Sequence, residues 1–339
     1  MKLASFLNVF LLFILSFNQN GHAQSVHRPQ LYNYNYWVPK YISQYLTQVD
    51  QNKEVQHLTS DPNTALSCKP VFKNILKNGV MDIRYALGYF DDSQGNDVVY
   101  EGVNYGISPS LDIQIYNALR EYLILPCATA TQKMCGFVES NDPLTGLVKL
   151  SKNIDLFGSP VEVVMTLTHA SASESFIKNT NELAAEQNRL ALQSEQSFFD
   201  QIGIADVLIY NGHSRNGGGP DFRPPILDKT LHVDYNGYYE VKKIGINRVL
   251  KQIRQQPNKD SILGLFSCYS HKHFYKSLLK ANPKQKLVLS TNTIDYFDSL
   301  YASLGLMEGL LRGQCGENLN KIIQQNEKLQ KGYKGFQIE

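Results

Sequence analysis

Short apolar runs alternate with helix-length polar segments through the second half of the chain. Val161–Thr168 (VEVVMTLT), Val207–Tyr210, Ile262–Phe266 and Leu287–Ser290 are brief, and rich in β-branched and aliphatic residues. They read as strands buried on both faces, as parallel strands are. Between them, helices are expected at Ser175–Asp200, Ile246–Gln255, Phe274–Ala281 and Ser299–Arg312, and a hairpin around Leu231–Tyr239. Strand and helix in alternation predict an α/β fold, a mostly parallel sheet covered by helices on both faces.

The first half is less regular. Ser108–Leu123 places Leu111, Ile113, Ile115, Ala118, Leu119 and Leu123 mostly on one side at helical spacing, so a helix is expected there. Strands are expected at Val98–Val103 and Leu147–Leu150, and a helix at Pro39–Val49. This divides the chain into a lead-in at 24–65, a small α+β domain at 66–157 and the α/β domain at 158–339, with the boundary near Gly158-Ser159-Pro160. No internal repeat or low-complexity tract is visible.

The first residues have the layout of a secretory signal: Lys2, an apolar stretch from Phe6 to Phe17, then Gly21-His22-Ala23 with cleavage expected after Ala23. The stretch is shorter than the ~20 residues a spanning helix needs, and no later run is long enough, so no membrane span is expected after cleavage. An exported protein, periplasmic or extracellular, is the expectation. Its five cysteines fit an oxidising compartment. Cys127 and Cys135 flank a short polar loop and suit a local disulfide, Cys68 and Cys315 are the remaining candidates, and an odd count leaves one thiol over. The formal net charge of +2 gives no footprint for nucleic acid.

Two of the apolar runs stop at a reactive residue. ADVLIYNGHSRNGGGPDF carries His213, and SILGLFSCYSHKHF carries Cys268. Strand ends of this kind gather ligands and catalytic groups, so a base and a thiol at two strand tips can meet although 55 residues separate them. Cysteine attacks as its thiolate, with histidine holding the proton and returning it to the leaving group. The oxyanion formed on attack needs two fixed donors, for which the backbone N–H groups of Ser214 and Cys268 are nominated. Such chemistry needs no cofactor and no metal.

These segments resemble the caspase-like cysteine peptidases, the group of caspases, gingipains, clostripain, legumain and separase. In that family a histidine ends one apolar strand and a cysteine ends the next core strand, the histidine lying about 50 residues upstream in caspases. The likeness covers about 161–312 and carries over His213 and Cys268 only. It departs from the family at Gly212-His213-Ser214, where glycine precedes the histidine instead of following it, and at FSCYS, which stands where caspases have their pentapeptide. The resemblance implies a polypeptide substrate and a charged or polar specificity pocket. Asp221 and Arg223 are the nominated lining residues by proximity to the histidine loop, ahead of Arg215, Asp295 and Asp298.

Two other readings come from the same residues. Cys268, His271 and His273 with His213 or His169 are zinc-ligand types, although the two-residue spacing of His271 and His273 puts them on different faces of a helix. A catalytically silent, exported interaction protein on the same fold would keep Cys268 structural. Gly217-Gly218-Gly219-Pro220 lacks the lysine and Ser/Thr of a phosphate-cradling loop, and no Gly-x-Ser-x-Gly elbow occurs.

Overall fold

The computed structural model describes residues 30–31, 34–51, 67–91, 99–100, 103–104, 111–256, 261–294, 296–324 and 333–337. The expected signal segment and its cleavage site lie outside the described residues. Eight strands form the main sheet: β1 Val80–Leu87, β2 Val138–Asn141, β3 Val148–Leu156, β4 Ser159–Thr168, β5 Val207–Asn211, β6 Ile262–Phe266, β7 Lys286–Ser290 and β8 Tyr333–Gln337. Their order across the sheet is β8-β7-β6-β5-β1-β4-β3-β2. The central run β7-β6-β5-β1-β4 is parallel, while β8, β3 and β2 join antiparallel at the two sides.

Seven helices of eight residues or more are described: α1 Tyr34–Gln51, α2 Leu111–Ile124, α3 Ala184–Phe199, α4 Ile244–Gln255, α5 Ser270–Ala281, α6 Tyr296–Leu311 and α7 Gly316–Ile323. Because successive strand side chains point to opposite faces, the sheet builds two cores. Ile83, Tyr85, Val163, Val207 and Ile209 pack with α1, α2, α6 and α7 on one face. Ala86, Leu208, Tyr210, Leu263 and Leu289 pack with α3, α4 and α5 on the other. The α/β class is therefore as expected, with helices on both faces.

Several elements differ from the sequence expectation. The strand β1 was not anticipated, yet it lies in the middle of the sheet. Its first half alternates Met81 and Ile83 with Asp82 and Arg84, whose charges hide it. Arg84 Nε and Nη2 each donate at 2.8 Å to the Asp82 carboxylate, which neutralises the pair inside the strand. The boundary expected near Gly158 falls in the tight connection between β3 and β4, and strands on either side of it share one sheet. The hairpin expected at Leu231–Tyr239 is reduced to a single Leu227–Val233 bridge. Asp234 instead accepts the Gly237 N–H at 2.7 Å and starts a π-helical turn, Tyr235–Tyr239. The helix expected at Ser175–Asp200 is broken in two, Phe176–Thr180 and α3. Of the strand expected at Val98–Val103, the described residues form two short strands, Val99–Tyr100 and Val103–Asn104, in a separate three-stranded sheet.

Cys127 is bonded to Cys135 and Cys68 to Cys315. Two disulfides mark an oxidising compartment. Cys268 keeps a reduced thiol. Among the described residues no helix is long and apolar enough to cross a membrane.

Candidate active site

From β1 the chain runs through α2 to the edge strand β2 on one side and returns through β3 to β4 beside β1, then crosses to β5 on the other side of β1 and continues outward to β6 and β7. Adjacent strands whose connections run in opposite directions leave a crevice at their carboxyl ends, where ligands of open α/β sheets bind. In this molecule the crevice lies past Leu87 of β1 and Asn211 of β5, which are paired in register. Gly88 N–H donates to the Asn211 carbonyl at 2.9 Å. A Cβ on Gly88 would sit 2.7 Å from the Tyr210 hydroxyl, so only glycine lets β1 turn away here.

His213 follows β5 by two residues and Cys268 follows β6 by two. The last residues of the two strands, Asn211 and Phe266, are paired neighbours. Gly212 N–H continues the ladder to the Phe266 carbonyl at 3.2 Å. The reactive residues therefore leave adjacent strands at the same level, with the strands about 4.8 Å apart.

The histidine ring is held from the segment that follows β1. Its Nε2 lies 2.9 Å from the Phe90 carbonyl oxygen. A carbonyl only accepts, so Nε2 carries the proton and the lone pair of the neutral ring falls on Nδ1. The Phe90 ring packs against the imidazole at 5.7 Å and against Tyr296, at the start of α6, at 5.3 Å. The half-buried Cys268 thiol donates to the Ile294 carbonyl at 3.5 Å. Its neighbour Tyr269 N–H donates to the Asn292 carbonyl, which ties the cysteine turn to the chain leaving β7.

Backbone strain is concentrated at these turns. Among the described residues six non-glycine residues have left-handed φ, and three of them, Arg215, Asn216 and Tyr269, lie within three residues of His213 or Cys268. Each left-handed non-glycine residue costs roughly 1–2 kcal/mol, and strain of this kind clusters at functional sites.

Beneath the loop after His213, Arg215 is fully buried. It donates from Nε to Asp221 at 3.1 Å and from Nη2 to the Tyr89 carbonyl at 3.2 Å, and its guanidinium lies over the Tyr239 ring. Tyr239 donates its hydroxyl to the same Asp221 oxygen at 3.0 Å. Burial and the nearby Asp221 carboxylate hold the Tyr239 phenol far above its ordinary range. Tyr210 donates to the His213 carbonyl and accepts the Asp221 N–H, each at 3.0 Å. The carbonyl of Ser214, one of the nominated oxyanion residues, accepts from Gly217 and Gly219, which folds the loop back on itself. Gly217, at φ 89°, packs against His273 of α5, whose Nδ1 a Cβ there would meet at 3.1 Å.

The residues nominated for specificity divide accordingly. Arg215 and Asp221 spend their charges on each other as loop anchors. Arg223 pairs with Glu195 of α3 at 2.6 Å. Asp298 stands in the first turn of α6, and Asp295 lies outside the described residues. His271 stacks on Tyr275 one turn along α5, while His273 faces the histidine loop. His169 is partly buried beside Tyr116 with Nδ1 on the Ser171 carbonyl, and desolvation depresses its pKa to about 4. Among the described residues no group of three or more His, Cys, Asp or Glu could hold a metal ion, so the zinc reading finds no donor set there.

Phe90, Arg215 and Tyr210 were not anticipated as supports. Phe90 acts through its backbone carbonyl, which leaves no residue signature. The glycine after the Tyr85-Ala86-Leu87 run was the available signal for a chain turning at a strand end. Comparison with known proteins found no matching family model, no similar curated protein and no similar solved structure.

Proposed function

We propose that the protein is an exported cysteine hydrolase acting on polypeptides, a divergent caspase-like peptidase with His213 as general base and acid and Cys268 as nucleophile. The observation that carries this reading is the equal offset of the two residues beyond the paired strand ends Asn211 and Phe266. Adjacent parallel strands ending in histidine and cysteine are what the family resemblance implies. The Phe90 carbonyl on Nε2 supports it further, because it orients a ring whose other nitrogen can take a thiol proton.

In this mechanism Nδ1 of His213 accepts the Cys268 proton and the thiolate attacks the scissile carbonyl. The tetrahedral oxyanion rests on the backbone N–H groups of Ser214 and Cys268. Collapse breaks the C–N bond, the amine leaves with the proton from His213, and a thioester remains. Water, deprotonated by His213, then releases the acid and restores the thiol.

The test is cleavage of a denatured polypeptide whose own cysteines are blocked, with new termini mapped by mass spectrometry. Cleavage by the wild type that disappears in Cys268→Ala, and falls by roughly 10²–10⁴ in His213→Ala, is expected. Cleavage that persists in Cys268→Ala, or a wild-type protein that makes no new termini, contradicts the reading and favours the silent interaction protein.

A further inference from the structure

A cavity of about 360 Å³ opens between α3, α4 and the loop that follows His213. Neither His213 nor Cys268 lines it. Its size falls within the range of small-molecule sites. Phe199, Phe222, Ile226, Tyr238 and Ile244 supply an apolar and aromatic wall.

Charge enters this wall in an unequal set. Glu195, only 10% exposed, accepts from Arg223 Nε on one carboxylate oxygen at 2.6 Å and from Arg248 Nη1 on the other at 2.7 Å. The second lining carboxylate, Asp221, is already matched by the buried Arg215. Three guanidinium groups thus stand against two carboxylates, an excess of one positive charge. Arg223 and Arg248 are 48% and 37% exposed, and Glu195 uses one nitrogen of each. Beyond that, among the described residues the Arg223 guanidinium makes only a 3.5 Å contact to Asn188, and the Arg248 guanidinium stacks on the Phe199 ring at 4.0 Å. Both guanidinium groups keep N–H donors for a second anion, held in the planar geometry that matches a carboxylate.

We propose that this cavity binds a small apolar carboxylate, an aromatic or branched aliphatic acid presented either as a free acid or as the C-terminal residue of a peptide. The acid group completes the arginine pair and the apolar part packs on the cavity wall. Gly218, Pro220 and Asp221 belong both to this wall and to the His213 loop, and Gly245 N–H of α4 donates to the Gly218 carbonyl at 2.8 Å. An occupant therefore braces the histidine loop from behind. The inference does not depend on cleavage at Cys268, because its readout is binding.

The experiment is calorimetric or ligand-observed NMR titration of the disulfide-bonded protein with 3-phenylpropanoate, 3-phenylpropanol and 3-phenylpropylamine. A second arm compares a short peptide ending in phenylalanine as its acid and as its amide. We expect at least one acid, free or peptidic, to bind about tenfold or more tightly than its uncharged counterpart, and whichever acid binds more tightly identifies the source. Arg223→Gln and Arg248→Gln should each weaken that acid by about tenfold or more and leave the alcohol unchanged. Equal affinities across both series, tighter binding of the amine, or acid binding untouched in both variants would overturn the proposal. The wild-type series decides the question even if a variant fails to fold.

Discussion

At the scale of single residues, Arg215 is the group on which the histidine loop depends. Its side chain is 0% exposed and its charge is met by Asp221, which is itself 16% exposed. Removing one member of a buried ion pair leaves the other uncompensated, and such changes cost roughly 3–5 kcal/mol. Arg215→Met is therefore expected to destabilise the protein by that amount in urea unfolding, whereas Arg223→Gln, with a half-exposed side chain, is expected to cost about 1 kcal/mol or less. The contrast separates two arginines that the sequence presents alike, eight residues apart in one loop. Nothing in the residue types distinguishes them; Arg215 lies in a left-handed turn and Arg223 does not.

At the scale of elements, the connection leaving β4 carries His169 and is gripped by Asp112 of α2, two ionisable groups with opposed pH behaviour. Asp112 of α2 is buried and accepts the Ala170 and Ser171 N–H groups and the Ser171 hydroxyl. Burial outweighs those bonds and pushes its pKa up to about 6. A carboxyl with a raised folded pKa gives stability that is present below its unfolded value near 4 and is lost as pH rises through 6. His169, depressed to about 4 by burial, does the reverse: its contribution is present above the unfolded value of 6.5 and is lost as pH falls toward 4. The two offset each other between pH 4 and 6. Asp112→Asn should leave a stability that rises with pH across this window, and His169→Gln one that falls, when unfolding is followed at intervals from pH 3.5 to 7.

Elements also show what was legible in the chain. The runs that became β4, β5, β6 and β7 were readable because strands buried on both faces are nearly continuous in apolar residues. The central strand β1 was not, since Asp82 and Arg84 satisfy each other within the strand and Asp206 accepts the Asp82 N–H at 2.9 Å. Local chemistry also defeated the expected hairpin, where the Asp234 side chain captures Gly237 and turns Tyr239 inward to Asp221. His213 and Cys268 could be picked out because each ends an apolar run. Their supports could not, because Phe90 uses a carbonyl and Arg215 a tertiary partner.

For the whole molecule, the two disulfides act on very different lengths of chain. Cys127 and Cys135 are 8 residues apart, while Cys68 and Cys315 are 247 apart and join the segment leading into β1 to the start of α7. Loop-closure entropy gives roughly 2–3 kcal/mol for the short loop and about 5 kcal/mol for the long one. Cys315→Ser, made together with Cys68→Ser, should lower the melting temperature more than the paired Cys127→Ser and Cys135→Ser change does.

The proposed dyad requires His213 to activate Cys268, and the reactivity of that thiol decides whether it does. The disulfide-bonded protein is treated with iodoacetamide between pH 5 and 8 and the modified peptides are mapped, for the wild type and for His213→Ala. We expect Cys268 to be alkylated below pH 7, where an ordinary thiol is slow, and the low-pH reaction to vanish in His213→Ala while circular dichroism stays unchanged. A Cys268 that reacts only as an ordinary thiol does, or reacts equally well without His213, would contradict the dyad.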